Sequence, residues 1–156
     1  SRDNQWTKIK VKKSQFVPTG TLNWAAVTKV YYALYATGGT ATVYIDNVYL
    51  TNTPIEPFPY RTIISTFDEA TSAWTVTSGA ISNDTANKKE GQKSIKTTNT
   101  TTFHKAVTLD LLTFVDGVTS QDSDEICLWA YVNTQTSITT VTLKFTVSGG
   151  AKCVYT

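Results

Sequence analysis

A chain of 156 residues with a formal net charge of +2 can build one core that buries roughly 70% of its unfolded surface, and is too short for two ordinary sandwiches. Threonine outnumbers every other residue type, charged residues make up only 17%, and the 40% apolar fraction is rich in Val, Ile, Tyr and Trp, which suit a pleated, half-buried surface. The small charge and dispersed lysines argue against nucleic acid or an anionic membrane as partner, and no apolar run is long enough to span a bilayer.

Residues Thr7, Ile9 and Val11 alternate with Trp6, Lys8 and Lys10, the period of a strand with one buried face. Lys8, Lys10, Lys12 and Lys13 form the one basic cluster and read as a solvated strand face. Pro18, Gly20 and Asn23 interrupt the pattern and lead into a turn of helix at Leu22–Val27. Val27–Thr37 and Thr40–Leu50 flank Gly38-Gly39 and read as a hairpin. In the second run Val43 and Ile45 keep one phase and Val48 and Leu50 the other, so a bulge is expected at Asp46-Asn47.

Thr51–Tyr60, with three of the four prolines, reads as a stiff linker. Beyond it, Thr62–Phe67, Trp74–Thr77 and Lys93–Thr97 read as strands, Ser82–Glu90 as a polar loop, and Leu109–Val115 as a short helical turn. The strongest strand patterns are Ile126–Val132 and Val141–Val147. A weak echo links Val27–Tyr44 with Ile138–Tyr155, each containing a Gly-Gly pair. Short strands with frequent turns, and no helical period beyond two turns, point to an all-β antiparallel β-sandwich.

Catalytic constellations are sparse. The sole histidine, His104, lies in the Thr-rich stretch TTTFHKAV and reads as an exposed strand residue rather than the base of a nucleophile triad. Cys127, Cys153 and His104 lack metal-ligand spacing, and two cysteines make no disulfide framework. The adjacent acids Asp68/Glu69 and Asp122/Asp124/Glu125 read as solvated turn residues. Asn83-Asp84-Thr85 and Asn99-Thr100-Thr101 match the glycosylation pattern by chance in so Thr-rich a chain. No enzyme is expected. The absence of any methionine suggests a processed product or a piece of something longer, and no segment reads as a signal peptide.

Phe67-Asp68-Glu69 with Trp74, the run Lys89-Glu90-Gly91-Gln92-Lys93-Ser94-Ile95, and Tyr44-Ile45-Asp46-Asn47-Val48-Tyr49-Leu50 together resemble jelly-roll modules of the carbohydrate-binding, galactose-binding-like kind. Such modules open with an "FD…W" strand, continue with a "keGxxSl" strand and close with a "vyiDnvxl" strand. Relatives of this texture are frequent in the tail and virion proteins of bacteriophages and in secreted glycoside hydrolases. The order here is inverted, because the closing motif at Asp46 precedes the opening motif at Phe67. The resemblance thus implies that residues 1–52 are the end of one sandwich module, 53–60 a linker, and 61–156 the start of the next. A stretch of a tandem array, a circular permutant and a subunit completed by a neighbour's strands all suit that order.

The resemblance also implies a structural calcium at Asp46 with Asp68 or Glu69, Gly91 and Lys93 offering only backbone carbonyls. Trp129 and Tyr131, Tyr31 and Tyr35, and Trp6 point away from the core by alternation. They suit a glycan platform, a subunit interface, or burial under loops. The leading expectation is a non-catalytic structural protein of a bacteriophage virion, a tail, fibre or capsid-surface component. It would assemble with copies of itself or other subunits and attach to a host glycan. The alternatives are a carbohydrate-binding module of a secreted polysaccharide-degrading enzyme and a bacterial surface adhesin subunit.

Overall fold

The structure, a computed structural model, describes residues 4–37, 41–52, 60–114, 117–133 and 138–155. It is an all-β antiparallel sandwich. In chain order the strands are β1 (Trp6–Lys12), β2 (Val17–Thr19), β3 (Val27–Ala36), β4 (Thr42–Thr51), β5 (Arg61–Ser65), β6 (Thr75–Ser78), β7 (Ile81–Asp84), β8 (Ser94–Thr98), β9 (Thr101–Leu109), β10 (Glu125–Val132), β11 (Ile138–Val147) and β12 (Lys152–Tyr155). Sheet I runs β1-β10-β4-β8-β7, with β5 also against β4, and sheet II runs β2-β12-β11-β3-β9-β6. Single 3-10 turns occur at Lys13–Gln15, Trp24–Ala26 and Thr71–Ala73.

The period-two pattern explains the layers. Ile126, Leu128 and Ala130 of β10 face Leu143, Phe145 and Val147 of β11 across one buried cluster that draws on both sheets. At one end Phe16, Trp24, Phe145 and Tyr155 pack with ring centres 5.4–6.0 Å apart. At another, Tyr32, Phe67, Trp74 and Phe103 do so at 5.0–5.7 Å.

The bulge lies where the alternation slips. Cys127 faces Tyr49 but Trp129 faces Asp46, so β4 carries one extra residue there, and Asn47 adopts a left-handed φ of 44°. That insertion keeps Val43, Ile45, Val48 and Leu50 all on the core side. It also divides the far edge of β4, which pairs with β8 through Thr42–Ile45 and with β5 through Val48–Thr51.

Several expectations are corrected. β3 and β4 do not form a hairpin: β3 lies between β11 and β9 in sheet II, and β4 belongs to sheet I. Each strand finds its partners elsewhere; the Gly38-Gly39 turn lies outside the described residues. Its echo at Gly149-Gly150 does close a hairpin, β11 to β12, with φ of 87° and 85°. The two Gly-Gly segments therefore share a sequence texture but not a topology.

Leu109–Phe114 is not helical. The Asp110 carboxylate accepts the amides of Leu112 and Thr113 at 2.7 and 3.1 Å, an Asx turn that competes with a helical start. Ser82–Asp84, expected in a loop, belongs to β7. Lys13 leaves the solvated face of Lys8, Lys10 and Lys12. It is 3% exposed, and its ammonium donates to Leu111 O at 3.1 Å and Ser120 Oγ at 2.9 Å, 5.2 Å from the Trp24 ring centre. Burial holds its pKa below the ordinary lysine value.

Strands from both sides of the Pro-rich stretch pair with one another in both sheets. That stretch joins β4 to β5, which lie side by side, and Asn52 and Tyr60 bond across its ends. Residues 53–59 lie outside the described residues.

Candidate functional site

At the bulge two aspartates converge on one loop. Asp46 is fully buried, and its Oδ2 accepts the amides of Lys89 at 2.7 Å and Glu90 at 2.9 Å. Asp68 Oδ1 accepts the amides of Gln92 at 2.6 Å and Lys93 at 2.8 Å, and Lys93 Nζ returns to Asp68 O. The two carboxylates thus clamp consecutive parts of the loop before β8, a use of backbone donors as an anion cradle. Asn47 Nδ2 adds a hydrogen bond to Glu90 Oε2. Burial, reinforced by the Asp68 charge and opposed by these amides, holds the Asp46 carboxyl above its ordinary pKa. Between the clamped pairs sits Gly91 at φ 67°, where a Cβ would fall 2.4 Å from Asp68 Oδ2.

Glu69 does not join them. It forms an ion pair with Lys105, and its backbone oxygen accepts Asn83 Nδ2 at 3.0 Å. Among the described residues no three His, Cys, Asp or Glu side chains gather as ligands. The bulge does leave two buried oxygens without donors, Asp46 Oδ1 and Asn47 Oδ1, on adjacent residues. These are hard donors of the type calcium takes, although Asp46 Oδ2 and Asp68 Oδ1 already face amide hydrogens.

The outward aromatic residues divide between opposite faces. Trp6, Tyr131 and Trp129 lie on sheet I, whereas Tyr31 and Tyr35 lie on sheet II. The sheet I register sets Trp6, Tyr131, Tyr44 and Lys96 in one row and Lys8, Trp129 and Asp46 in the next. Cations take up positions over most of these rings. Lys89 Nζ lies 4.5 Å and Lys8 Nζ 5.9 Å from the Trp129 ring centre, Lys8 and Arg61 lie 5.2 and 4.6 Å from that of Tyr49, and Lys96 lies 5.9 Å from that of Tyr44. Trp129 is half-buried, with its Nε1 shielded and unpartnered.

On sheet II, Lys144 Nζ lies 3.9 Å from the Tyr31 ring centre, and His104 stacks on Tyr31 at 4.6 Å. Partial burial, with Lys29 and Lys144 nearby, lowers the His104 pKa. Tyr35 is 47% exposed. Cys127 and Cys153 are buried free thiols, and burial pushes Cys153 up to about 12.

Sequence reasoning missed Tyr44 and Tyr49. The phase slip at Asp46-Asn47 carries both onto the outer face once Val43, Ile45, Val48 and Leu50 are assigned to the core. It also missed the open side of β11. β12 pairs only with Leu143–Thr146, so for Ile138–Val141 the strand pairing among the described residues is on the β3 side alone. Beside this edge is a cleft of about 250 Å³ between the sheets, lined by the apolar Ile9, Ala130, Val132, Ile138 and Val141 with Gln5 and Thr7. Val141 pairs with core residue Leu34 yet is 41% exposed.

No protein-family model matches this sequence, and neither a curated protein nor a solved structure is significantly similar to it.

Proposed function

We propose that this chain is a non-catalytic building block of a bacteriophage particle, a tail, fibre or capsid-surface subunit, which assembles by accepting an extended strand from a neighbouring copy along β11. The observation that carries this reading is the edge at Ile138–Val141 above an apolar cleft. An unpaired ladder selects a strand through its backbone, and an apolar trench beneath it takes alternate side chains. The motifs at Phe67, Gly91 and Asp46 support the virion setting by resemblance.

Val141→Asp is the test. It places a charge at the cleft rim, where the residue is already partly exposed, and should change monomer stability by less than about 1 kcal/mol. Light scattering should find an oligomer for the parent and a monomer for the variant. A parent that stays monomeric at high concentration would overturn assembly. If that monomer were also retained on a neutral polysaccharide, the carbohydrate-binding module reading would replace it.

The orphaned Asp46 Oδ1 and Asn47 Oδ1 support a second proposal, a structural calcium held at the bulge with help from Asp68. A chelator should then lower the melting temperature by several degrees, at roughly 2–4 °C per kcal/mol for a chain of this size, and Asp46→Asn should abolish the response. An unchanged melting temperature in the parent sinks the calcium proposal and leaves assembly untouched.

A further inference from the structure

We infer that the outer face of sheet II binds a dianionic phosphate group, held by the ammonium groups of Lys29, Lys144 and Lys152 around the hydroxyl of Thr146. The site lies on the part of β11 that β12 already covers. The inference therefore rests neither on strand docking at Ile138–Val141 nor on calcium at the bulge.

Strand register builds the site. Thr146 pairs with Lys152 of β12 on one side and with Lys29 of β3 on the other, and directly paired residues share a face of the sheet. Lys144, two residues earlier on β11, projects from the same face. Three lysines from three neighbouring strands, spaced about 4.8 Å apart, thus surround one threonine. Lys144 is steadied by the Tyr31 ring beneath its ammonium, and His104 stacks on that ring. Lys29 and Lys152 are exposed and have neither an ion pair nor a ring contact among the described residues, so both can turn onto an anion.

The face carries an excess of positive charge. No strand of sheet II contains an aspartate or glutamate. Lys105 and Glu69 cancel one another, and with Asp110, the residue after β9, counted on this face, three lysines still stand against one carboxylate. Burial and then the Lys152 charge lower the Lys144 pKa; burial and then Lys29 and Lys144 lower that of His104. The neighbouring charges acting on both groups are cations.

At the centre of the lysines, Thr146 Oγ1 is shielded and has no hydrogen-bond partner among the described residues, although its carbonyl accepts Thr28 Oγ1 at 3.2 Å. A shielded hydroxyl lacking an acceptor, beside cations lacking a counter-charge, asks for an oxyanion that supplies both. Phosphate fits better than carboxylate. Its oxygens take donors from several directions and lysines bind it as point charges, whereas a planar carboxylate is best met by an arginine fork, and sheet II has no arginine.

Inorganic phosphate is the probe, at about pH 8 where it is a dianion, with acetate at equal ionic strength as the carboxylate comparison. The amide chemical shifts of Lys29, Lys144, Thr146 and Lys152 should move and saturate with phosphate and should not saturate with acetate. Lys29→Gln with Lys152→Gln should weaken binding at least about tenfold, and Thr146→Val, which keeps the side-chain shape, several-fold, both at unchanged melting temperature. The control pair Lys8→Gln and Lys96→Gln removes the same charge from sheet I and should leave binding unchanged. Glycerol phosphate distinguishes the source: binding at least as tight as that of phosphate supports a phosphomonoester ligand, and weaker binding supports the free ion. Absence of saturation, acetate binding as tightly, equal loss in the control pair, or undiminished binding by Thr146→Val would overturn the inference.

Discussion

Trp74→Ala is expected to lower unfolding stability by about 3–5 kcal/mol, the cost typical of deleting a large buried aromatic, and the melting temperature by roughly ten degrees. Trp74 is 6% exposed and stacks almost parallel on Phe67, with ring centres 5.0 Å and planes 4° apart; Tyr32 and Phe103 close the cluster. The backbone at Phe67 places the loss toward the upper end of that range. That residue has φ 59°, a left-handed conformation that a bulky side chain rarely adopts, and it persists because neighbouring contacts hold it. Its amide donates to Ser65 Oγ at 3.2 Å, and its ring is fully buried against Trp74. Without the indole, the Phe67 ring keeps Tyr32 at 5.5 Å but loses its stacked neighbour, which weakens one of those two restraints. Trp74→Phe should cost less than about 2 kcal/mol, since the indole Nε1 has no partner to lose. Denaturant unfolding measures both. A loss below about 1 kcal/mol for the alanine variant would mean that the "FD…W" segment is not part of the core.

Gly91→Ala should cost about 2–4 kcal/mol through the clamp rather than the core. An alanine Cβ at this position meets both Asp68 oxygens, at 2.4 and 2.8 Å, and φ 67° adds the left-handed penalty of about 1–2 kcal/mol. The carboxylate must withdraw from the amides of Gln92 and Lys93, which forfeits two charge-assisted hydrogen bonds. Gly149→Ala is the comparison. It has a similar φ of 87° with nothing within 4 Å of the added carbon, so only the backbone penalty applies. If the two variants lose equal stability, Asp68 is not seated against Gly91.

Gly91 illustrates how far a motif is legible. The residue pattern marks the glycine, and the clamp supplies its physical reason, close approach of a carboxylate from another loop. The bulge was legible for a similar reason, because a phase slip between Ile45 and Val48 has one simple geometric solution. Convergence of Asp46 with Asp68 follows from the same motifs, whereas Glu69, adjacent in sequence, turns to Lys105 because successive side chains diverge.

Pairing partners were not legible. Nothing in Val27–Tyr44 distinguishes two strands paired with each other from two strands in different sheets, since both give alternation on either side of a turn signal. The choice depends on β11, β9, β10 and β8, all distant in sequence. Cation placement was hidden for the same reason: Lys89 reaches Trp129, and Arg61 reaches Tyr49, only after the sheet is assembled. Lys13 follows Lys12 in an apparently solvated run, yet the 3-10 turn that begins there carries it inward beneath Trp24.

Amide hydrogen exchange across a dilution series tests assembly along β11 most directly. Strand docking predicts that the amides of Ile138–Val141 pointing away from β3 exchange slowly in concentrated protein and quickly after dilution. They should exchange quickly at every concentration in Val141→Asp, while Leu143–Thr146, covered by β12, stay protected throughout. Exchange at Ile138–Val141 that is equally fast, or equally slow, at every concentration of the parent protein would contradict it.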